Sequence, residues 1–352
     1  MRVFKPRQCI TISLKRLLVA LGAAAGLAAC SAGPEEDANA VSFAGYGGNY
    51  QDNIVEALLQ PAADKLGLTL SQDTHDALPA VRLQVQSGEP AWDIVQLGAS
   101  ECARGEREGL FEPLDYSQID TDGIDPTAYS DTWIGSNYYS VVMAWRTDKY
   151  SNPPQDWSDF WNVQKFPGRR GLSILGNEML EVALLADGVP KDKLYPLDVD
   201  RAIKSINAIK PHINVWWTSG AQSTQLIKDG EVDMIATYSS RVAPLMEDDA
   251  PVDFTYQQGL LSPACFAIPK GAAHVDQAQK MIALMVTPEL QRNVPEVLKY
   301  YGPANAKAAS ASPTSNTSPA NIEKQVYMDA DWWGEHGAEA EERYRTAVAS
   351  SD

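Results

Sequence analysis

The sequence predicts an α/β fold divided into two lobes. Short apolar segments with the pattern of strands alternate along the chain with amphipathic segments of helical period. The alternation occurs in two separate series, one before residue 100 and one from residue 138 onward. At 352 residues, the chain also exceeds the usual size of a single hydrophobic core. Two lobes, each with its own series of strands and helices, account for all three observations.

The first series has the order strand, helix, strand, helix, strand. An apolar strand at 41–46 precedes a helix at 53–66, in which apolar residues recur on one face. A short strand at 68–70, a helix around 79–86 and a strand at 92–97 follow. This segment therefore predicts one βαβαβ lobe.

The second series predicts the other lobe, and the chain after it is expected to return to the first. An amphipathic helix at 275–286 would make that return, and the Ala-, Ser- and Pro-rich segment 304–319 is expected to be an extended loop. The predicted strands are at 138–145, 172–175, 214–217, 233–238 and 261–269, and the other predicted helices are at 178–186, 199–209, 221–228 and about 334–348.

The N-terminal segment has the pattern of a bacterial export signal. Five basic residues stand before or at the start of an apolar run that is too short to span a membrane, and the run ends in Leu27-Ala28-Ala29-Cys30. This ending resembles the lipobox of bacterial lipoproteins. We expect 1–30 to be a lipoprotein signal peptide with Cys30 as the lipid carrier, and 31–40 to be a tether. The alternative is an ordinary secretory peptide cut near Ala32 without a lipid.

Charge and cysteine content narrow the function and the compartment. The chain has 29 basic and 46 acidic residues, a formal net charge of −17 at pH 7, which argues against binding to a nucleic-acid backbone. Cys9 and Cys30 belong to the predicted signal, so Cys102 and Cys265 remain. In an oxidising compartment they can form a disulfide, and the alternative of two buried free thiols stays open.

The chain shows no pattern of catalytic or metal-binding residues. Four histidines lack the spacing of metal ligands or of a catalytic triad and are expected at the surface: His75, His212, His274 and His336. A nucleophile elbow and a Walker loop are absent, and the segment 45–50 lacks the third glycine of a dinucleotide-binding loop. We therefore expect a protein that is not an enzyme, with no catalytic residue, metal or cofactor.

Polar and aromatic residues cluster where predicted strands end, which is where open α/β sheets bind ligands. Gly47 and Gly48 lead from a strand into a helix, and their alternative role is a tight turn. Trp217 is preferred to Trp216 as a cleft residue, because neighbouring strand residues face opposite sides. The candidate ligand-binding residues are Tyr46, Gly47, Gly48, Ser100, Glu101, Tyr139, Trp217, Ser219, Gln222, Tyr238, Arg241 and Cys265.

Several motifs resemble one family from about Val41 to the C-terminus. They are DWSDFW at 156–161, FPGRR at 166–170, YPLD at 195–198, GAQ at 220–222 with GEVD at 230–233, and AIPKG at 267–271. Together they resemble the spermidine/putrescine-binding group of extracellular solute-binding proteins, the receptors of ATP-driven importers.

The resemblance implies a type II periplasmic-binding-protein fold. Each lobe would be a mixed sheet flanked by helices, with the ligand in the cleft between the lobes. Lobe 1 would comprise 41–136 and 263–352, and lobe 2 would comprise 137–262. The closed form would dock on ABC permease subunits outside the cytoplasm. We expect a monomer in the periplasm or at the cell surface, held to the membrane through its lipid alone.

The expected ligand follows from departures from the polyamine-binding pattern. Polyamine receptors carry acids at three positions where this chain has Gly47-Gly48, Arg241 and Ala264. A carboxylate is a better partner than an ammonium for a guanidinium in a cleft. Because the family includes receptors for γ-aminobutyrate, the resemblance favours a small ω-amino acid.

In the resulting hypothesis each group of the ligand has its own partners. Arg241 binds the carboxylate, Ser219 and Gln222 add neutral hydrogen bonds, and Glu101 balances the ammonium. The cleft walls would be aromatic side chains, namely Tyr46, Tyr139, Trp217 and Tyr238.

Three alternatives remain beside this hypothesis. Arg241 could instead form a structural salt bridge with Asp233 or Glu247. The chain could be a polyamine receptor that uses other acids, such as Glu101 and Asp131. An enzyme or an adhesion lipoprotein could also use the same fold, since fold does not determine function.

Overall fold

In the computed structural model, which describes residues 39–308 and 314–350, ten strands form a single mixed sheet. The strand order is β2-β1-β3-β8-β4-β7-β5-β6, with β9 paired to β4 and β10 paired to β8. The α/β class predicted from the sequence is confirmed. The strands are β1 Ala40–Gly45, β2 Thr69–Thr74, β3 Ile94–Gly98, β4 Trp133–Arg146, β5 Arg170–Ser173, β6 Ile213–Trp217, β7 Met234–Tyr238, β8 Val252–Ala267, β9 Gly302–Pro303 and β10 Val326–Tyr327.

Two long antiparallel strands connect the two ends of this sheet. β4 has 14 residues and β8 has 16, and they pair from Trp133 opposite Ala267 to Arg146 opposite Val252. One end of the pair joins β3, and the other end joins β7. Their register shifts twice, between Gly135 and Asn137 and between Val141 and Met143. The sequence predicted only parts of both strands, at 138–145 and 261–269.

The helices confirm most of the predicted pattern. The helix predicted at 53–66 begins earlier, at Gly48, and contains a π-helical stretch, Val55–Leu59. The helices α4, α5, α9 and α11 to α13 were not predicted. The helices are α1 Gly48–Ile54, α2 Gln60–Leu66, α3 Ala77–Ser87, α4 Ala99–Arg107, α5 Trp157–Trp161, α6 Met179–Ala186, α7 Val199–Ile209, α8 Gly220–Lys228, α9 Ser239–Glu247, α10 Val275–Met285, α11 Pro288–Gln291, α12 Val294–Val297, α13 Pro319–Ile322 and α14 Ala330–Ala349.

Helix α10 packs against the first strand of the chain, as the sequence predicted. Met281 and Ile282 of this helix are fully buried in the same apolar cluster as Val41 and Phe43 of β1. Burial of such side chains is worth about 1.5–3 kcal/mol each, which fixes α10 against the N-terminal strand.

The C-terminal helix α14 contacts elements from both ends of the sheet. Its Glu341 pairs with Arg104 of α4 at 3.4 Å. The indole Nε1 of its Trp333 donates to Oε1 of Glu181 in α6 at 2.5 Å, and its Tyr344 donates to the carbonyl oxygen of Ser173 at 2.7 Å. The lobe boundaries drawn from the sequence stay a prediction, and α14 packs on elements from both sides of them.

Cys102 of α4 and Cys265 of β8 form a disulfide, one of the two alternatives that the sequence left open. Both side chains are fully buried in one apolar cluster with Leu97 of β3. The bridge therefore fastens α4 to one of the two long strands.

Two local expectations are wrong. His75 is buried rather than exposed, and its Nε2 lies 2.9 Å from the carbonyl oxygen of Gln96. The segment predicted as an extended loop contains buried, bonded structure: Asn316 is fully buried and donates to the carbonyl oxygen of Tyr138 at 3.0 Å. The sequence did not reveal that polar side chains of this segment would donate hydrogen bonds to the carbonyl groups of a strand.

The N-terminal predictions lie largely outside the described residues. They concern the signal peptide, the lipid carrier Cys30 and the tether up to residue 38. From residue 39 on, the described chain belongs to the compact unit Ala38–Asp352, and none of its described helices is long and apolar enough to cross a membrane.

Candidate functional site

At one end of the sheet, Glu101 is held by groups from three elements. Tyr46, which follows β1, donates its hydroxyl to Oε2 of Glu101 at 2.6 Å. The backbone N–H of Leu78 donates to Oε1 at 3.1 Å. The N–H of Gly98 approaches Oε2 at 3.5 Å, as expected for an acid in the first turn of α4. Each oxygen of Glu101 thus already accepts at least one hydrogen bond.

Gly47 and Gly48 form the turn between β1 and α1. Their φ angles are 72° and 63°, a region that favours glycine, so the turn alone accounts for both residues. The N–H of Gly47 donates to Oε1 of Gln51 at 2.9 Å. The side chain of Tyr46 is 44% exposed, which leaves it available at the edge of this turn.

The aromatic rings of Tyr139 and Tyr238 are in contact. Their rings pack edge to face, with centroids 5.8 Å apart. The hydroxyl of Tyr139, on β4, lies 3.6 Å from the position that a Cβ would take on Gly98. Tyr238 ends β7, and its ring packs in turn against Trp217 at 6.1 Å. The two phenols therefore lie between the Glu101 region and the carboxyl ends of β6 and β7.

Glu178, which the sequence analysis placed only at a helix start, lies beside these phenols. It follows β5, is 4% exposed and has a φ of 75°. Tyr238 donates to its Oε2 at 3.3 Å. Burial raises the pKa of Glu178 to about 8, hydrogen bonds from Tyr139 and Tyr238 lower it, and the charges of Glu181 and Glu101 raise it.

Arg241 is a guanidinium without a carboxylate partner among the described residues. It lies in the first turn of α9, and its Nε is 2.8 Å from the position of a Cβ on Gly220, so it packs closely on that glycine. Asp233 is bonded to Arg169, and Glu247 is bonded to Lys299. The alternative in which Arg241 pairs with one of these two acids is therefore not what the structure shows.

The Arg241 side chain also faces aromatic residues that the sequence analysis did not select. Its charge lowers the pKa values of Tyr50 and Tyr301, although burial raises both more strongly. These two rings stack with centroids 5.3 Å apart. Ser240 donates to the hydroxyl of Tyr301 at 2.8 Å, which links α9 to the segment that follows α12.

A cavity of about 420 Å³ opens beside Arg241. Its walls come from α1, from α8 and α9, and from the segment around α12, so it lies between elements of both ends of the sheet. The lining residues are Asn49, Tyr50, Asn53, Thr224, Ser240, Arg241, Pro244, Leu245, Glu247, Val297, Leu298, Lys299, Tyr300 and Tyr301.

Ser219 and Gln222 are exposed at the N-terminus of α8, next to Gly220. The hydroxyl of Ser219 accepts from the N–H of Gln222 at 3.2 Å, which caps the helix. The side-chain oxygen of Gln222 accepts from the N–H of Thr218 at 2.8 Å. Trp217 is 3% exposed and donates to the carbonyl oxygen of Ala236. Its ring packs against the ring of Tyr238.

The contacts of the remaining candidates are those of the fold itself. Ser100 is buried in α4 beside Glu101, and Cys265 is buried in its disulfide. Asp131, the alternative acid of a polyamine site, is exposed near Tyr116, and no described contact joins it to Glu101.

The acids and the guanidinium of this region are separate: Arg241 lines the cavity, whereas Glu101 and Glu178 are not among its lining residues. Carboxyl groups lie on one side, at Glu101 and Glu178, and a free guanidinium lies on the other, at Arg241. Tyr238 lies near both, since it donates to Glu178 and is reached by the charge of Arg241: burial and Glu178 raise the pKa of Tyr238 well above its usual value, and Arg241 offsets a small part of this.

The missed residue Glu178 obeys the rule that selected the others. It follows a parallel strand, β5, at the same edge as Tyr238 after β7. In the sequence, Glu178 follows a predicted strand, but an acid at the start of a helix is also favoured by the helix itself. This second explanation hid the first.

Comparisons with known proteins identify the family of this chain. A family model described as "Bacterial extracellular solute-binding protein" matches residues 65–323. The chain belongs to this family. Its members bind a small-molecule solute outside the cytoplasm and interact with permease subunits of ABC transporters.

Individual relatives of this solute-binding protein are similar over most of its length. A γ-aminobutyric-acid-binding protein of Pseudomonas aeruginosa is 34% identical over 294 residues, which cover 80% of this chain and 83% of the relative. A solved structure of an ABC transporter substrate-binding protein from Bradyrhizobium japonicum is similar to this chain, with 42% sequence identity and a TM-score of 0.84. The match covers 88% of this chain and 99% of that one. A solved GABA receptor is 32% identical, with a TM-score of 0.81 and coverages of 89% and 99%.

The resemblance to polyamine receptors is also confirmed, at a lower level. The spermidine/putrescine-binding periplasmic protein of Escherichia coli is 20% identical over 337 residues, covering 92% of this solute-binding protein and 94% of the relative. The likeness to solved substrate-binding proteins confirms the predicted two-lobed periplasmic-binding-protein fold.

Proposed function

We propose that this chain is the substrate-binding lipoprotein of an ABC importer and that its ligand is a small solute with one amine and one carboxylate, such as γ-aminobutyrate. The observation that carries the proposal is the guanidinium of Arg241, which lies in the cleft without a carboxylate partner among the described residues. A ligand carboxylate can accept its two parallel donors, and such charge-assisted bonds are about twice as strong as neutral ones.

The surroundings of Arg241 support a zwitterion rather than a diamine. Next to a purely cationic ligand, the guanidinium would have no compensating charge and would repel the nearer ammonium group. In this proposal the ammonium group of the ligand is balanced by the acids Glu101 and Glu178, which accept from Tyr46 and Tyr238. The γ-aminobutyric-acid-binding relative of Pseudomonas aeruginosa fits the same ligand class.

The proposal includes a route to the membrane. Cys30 would carry a lipid, the following residues would tether the solute-binding unit, and the liganded monomer would deliver its solute to the permease. Cleavage before Cys30 is tested by the mass of the mature protein, which should carry a lipid adduct at its N-terminus. A Cys30→Ser variant should lose the adduct and leave the membrane fraction.

A thermal-shift screen of the purified protein tests the ligand class. A ligand at 100 times its dissociation constant should raise the free energy of unfolding by about 2.7 kcal/mol. We expect stabilisation by γ-aminobutyrate and other ω-amino acids, but not by putrescine or spermidine. Stabilisation by diamines alone would contradict the proposal and favour the polyamine alternative, and no stabilisation by any of these solutes would favour an adhesion or enzymatic role.

Arg241→Ala should abolish binding of the carboxylate ligand without unfolding the protein. The matched control is Arg345→Ala on α14, because Arg345 is exposed and pairs only with exposed Glu342 among the described residues. Arg241→Lys should bind weakly, since an ammonium cannot reproduce the planar fork of a guanidinium. Unchanged affinity in Arg241→Ala would exclude the guanidinium as the carboxylate partner.

A further inference from the structure

The hydrogen bonds of His75 fix which of its ring nitrogens carries a proton. His75 follows β2 and is 8% exposed. Its Nε2 lies 2.9 Å from the carbonyl oxygen of Gln96, which can only accept, so Nε2 carries a hydrogen and donates it. Its Nδ1 accepts from the backbone N–H of Ala77 at 3.1 Å, so Nδ1 carries none. The imidazole is therefore held in its neutral form, with both nitrogens in use.

Protonation of His75 would place two hydrogen-bond donors against each other. An imidazolium carries a hydrogen on both nitrogens, and the hydrogen on Nδ1 would face the N–H of Ala77. Ala77 has a φ of 61°, in the left-handed region that a residue with a side chain rarely adopts. The bond to Nδ1 helps to hold this strained conformation. Its loss would therefore favour a shift of the turn formed by residues 76–78.

The same turn is bonded directly to Glu101. The N–H of Leu78, the residue after Ala77, donates to Oε1 of Glu101 at 3.1 Å. The other carboxylate oxygen accepts from the hydroxyl of Tyr46 at 2.6 Å. The ring of Tyr46 packs edge to face on the imidazole of His75, with centroids 5.1 Å apart. His75 therefore supports two of the groups that bond to Glu101, one through the backbone and one through ring packing.

The surroundings of His75 keep the imidazole neutral at pH 7. Burial lowers the pKa of His75 below its ordinary value. The carbonyl group of Gln96 and the charges of Glu101 and Asp76 offset this effect only in part. A proton therefore enters this site only when the medium becomes acidic. The titratable groups and rings that the structure places against His75 are Tyr46, Asp73, Asp76, Trp92 and Glu101.

We propose that neutral His75 is a positioning residue for Tyr46 and Glu101, and that its protonation in a mildly acidic medium weakens binding of the ligand. Histidine suits such a role because its charge changes between pH 5 and pH 8. This inference rests on the proposed function, since Tyr46 and Glu101 belong to the proposed ligand site. The receptor would then hold its solute less tightly in acid than at neutral pH.

Nuclear magnetic resonance on the unchanged protein tests the histidine without any ligand. The chain has four histidines, so few imidazole signals overlap. At pH 7 the ring nitrogens of His75 should show the tautomer with a hydrogen on Nε2. Its signals should titrate at a lower pH than those of the exposed residues His212 and His336, and the ring signals of Tyr46 should shift in the same step. A hydrogen on Nδ1 at pH 7, or a titration like that of the exposed histidines, would overturn the inference.

Titration calorimetry with γ-aminobutyrate at pH 7 and pH 5 tests the effect on binding. Other acids of the site titrate as well, so the comparison is with His75→Asn. This variant cannot gain a charge, and its side-chain oxygen can still accept from the N–H two residues further on. At pH 7 it should bind within about threefold of the unchanged protein. Between pH 7 and pH 5 the unchanged protein should lose at least about threefold more affinity than the variant, because binding that excludes one proton weakens by up to about tenfold per pH unit.

Two further variants complete the comparison. His212→Asn is the matched control, because His212 is exposed, and its pH profile should follow that of the unchanged protein. His75→Gln keeps a donor for the Gln96 carbonyl and should share the flatter profile of His75→Asn. Equal pH profiles of the unchanged protein and both His75 variants would overturn the inference while the proposed function stands. If γ-aminobutyrate binds the unchanged protein at neither pH, the proposed function fails, and the resonance titration then decides the protonation of His75 alone.

Discussion

The guanidinium of Arg241 lies directly on Gly220, and its Nε is 2.8 Å from the position that a Cβ would take there. Real Cβ atoms do not tolerate so close a neighbour, so the guanidinium can keep this position only while residue 220 has no side chain. Gly220 is also the first residue of α8, so two elements define the position of the proposed carboxylate partner.

Gly220→Ala should therefore weaken ligand binding without weakening the fold. The added methyl group would displace the guanidinium, and we expect at least a tenfold loss of affinity for γ-aminobutyrate. The melting temperature should stay nearly the same, because Gly220 is the first residue of α8, where the preference of helix interiors for alanine does not apply in full, and the displaced group is the end of a flexible side chain. Calorimetry and thermal unfolding of the same samples give both quantities.

A double-mutant cycle tests whether the effect passes through Arg241. In an Arg241→Ala background, Gly220→Ala should cause no further loss of affinity. An equal loss in both backgrounds would show that Gly220 acts on the ligand directly.

The sequence predicted the fold well because its signals are local and periodic. The helix expected at 199–209 is found at those residues, since its apolar face and the N-cap Asp198 both mark it. The long strands β4 and β8 were only partly found, because residues buried on both faces of a strand do not alternate in polarity.

The candidate site was predicted less completely, for a physical reason. Tyr238 and Arg241 lie at the end of a predicted strand and were selected by the strand-end rule. Tyr301 comes from the far end of the chain, and only the folded structure places it on Tyr50. Glu178 was missed because an acid at a helix start has a sufficient local explanation.

Removal of the disulfide should destabilise the protein without changing its affinity for the ligand. Cys102 and Cys265 are separated by 163 residues, so the bridge restricts the unfolded chain strongly. A Cys102→Ala, Cys265→Ala variant should lose about 2–5 kcal/mol of stability in denaturant unfolding. Its affinity for γ-aminobutyrate, measured well below its melting temperature, should equal that of the unchanged protein. A loss of affinity in the folded variant would indicate that the bridge positions the cleft.

Close packing of α14 on α4 requires a glycine at residue 334. A Cβ on Gly334 would lie 2.9 Å from Cβ of Ala103, so Gly334→Val should push the two helices apart. We expect a loss of about 1–3 kcal/mol in the free energy of unfolding, as is usual for overpacked contacts. Ala338→Val, at an exposed position of the same helix, is the control and should cost less than about 1 kcal/mol.

The stability of the unliganded protein should fall as the pH rises from about 5 to about 8. Burial raises the pKa of Glu178 to about 8 and that of Glu181 to about 7, while hydrogen bonds from Tyr195 and Trp333 lower the latter. In this range the folded protein keeps protons that the unfolded chain, with ordinary glutamates, has released. These carboxyls therefore contribute full stability below the unfolded pKa, and the contribution is lost as the pH rises through their folded pKa values.

Glu181→Gln should remove part of this pH dependence, because a glutamine resembles the protonated acid and can still accept from Trp333 and Tyr195. At pH 8 the variant should be more stable than the unchanged protein, by on the order of 2 kcal/mol, and at pH 5 the two should be nearly equal. Glu339→Gln, at an exposed position of α14, should leave the slope unchanged. The measurement is the free energy of unfolding in denaturant from pH 5 to pH 8, and parallel curves for Glu181→Gln and the unchanged protein would show that Glu181 does not hold a proton in the folded state.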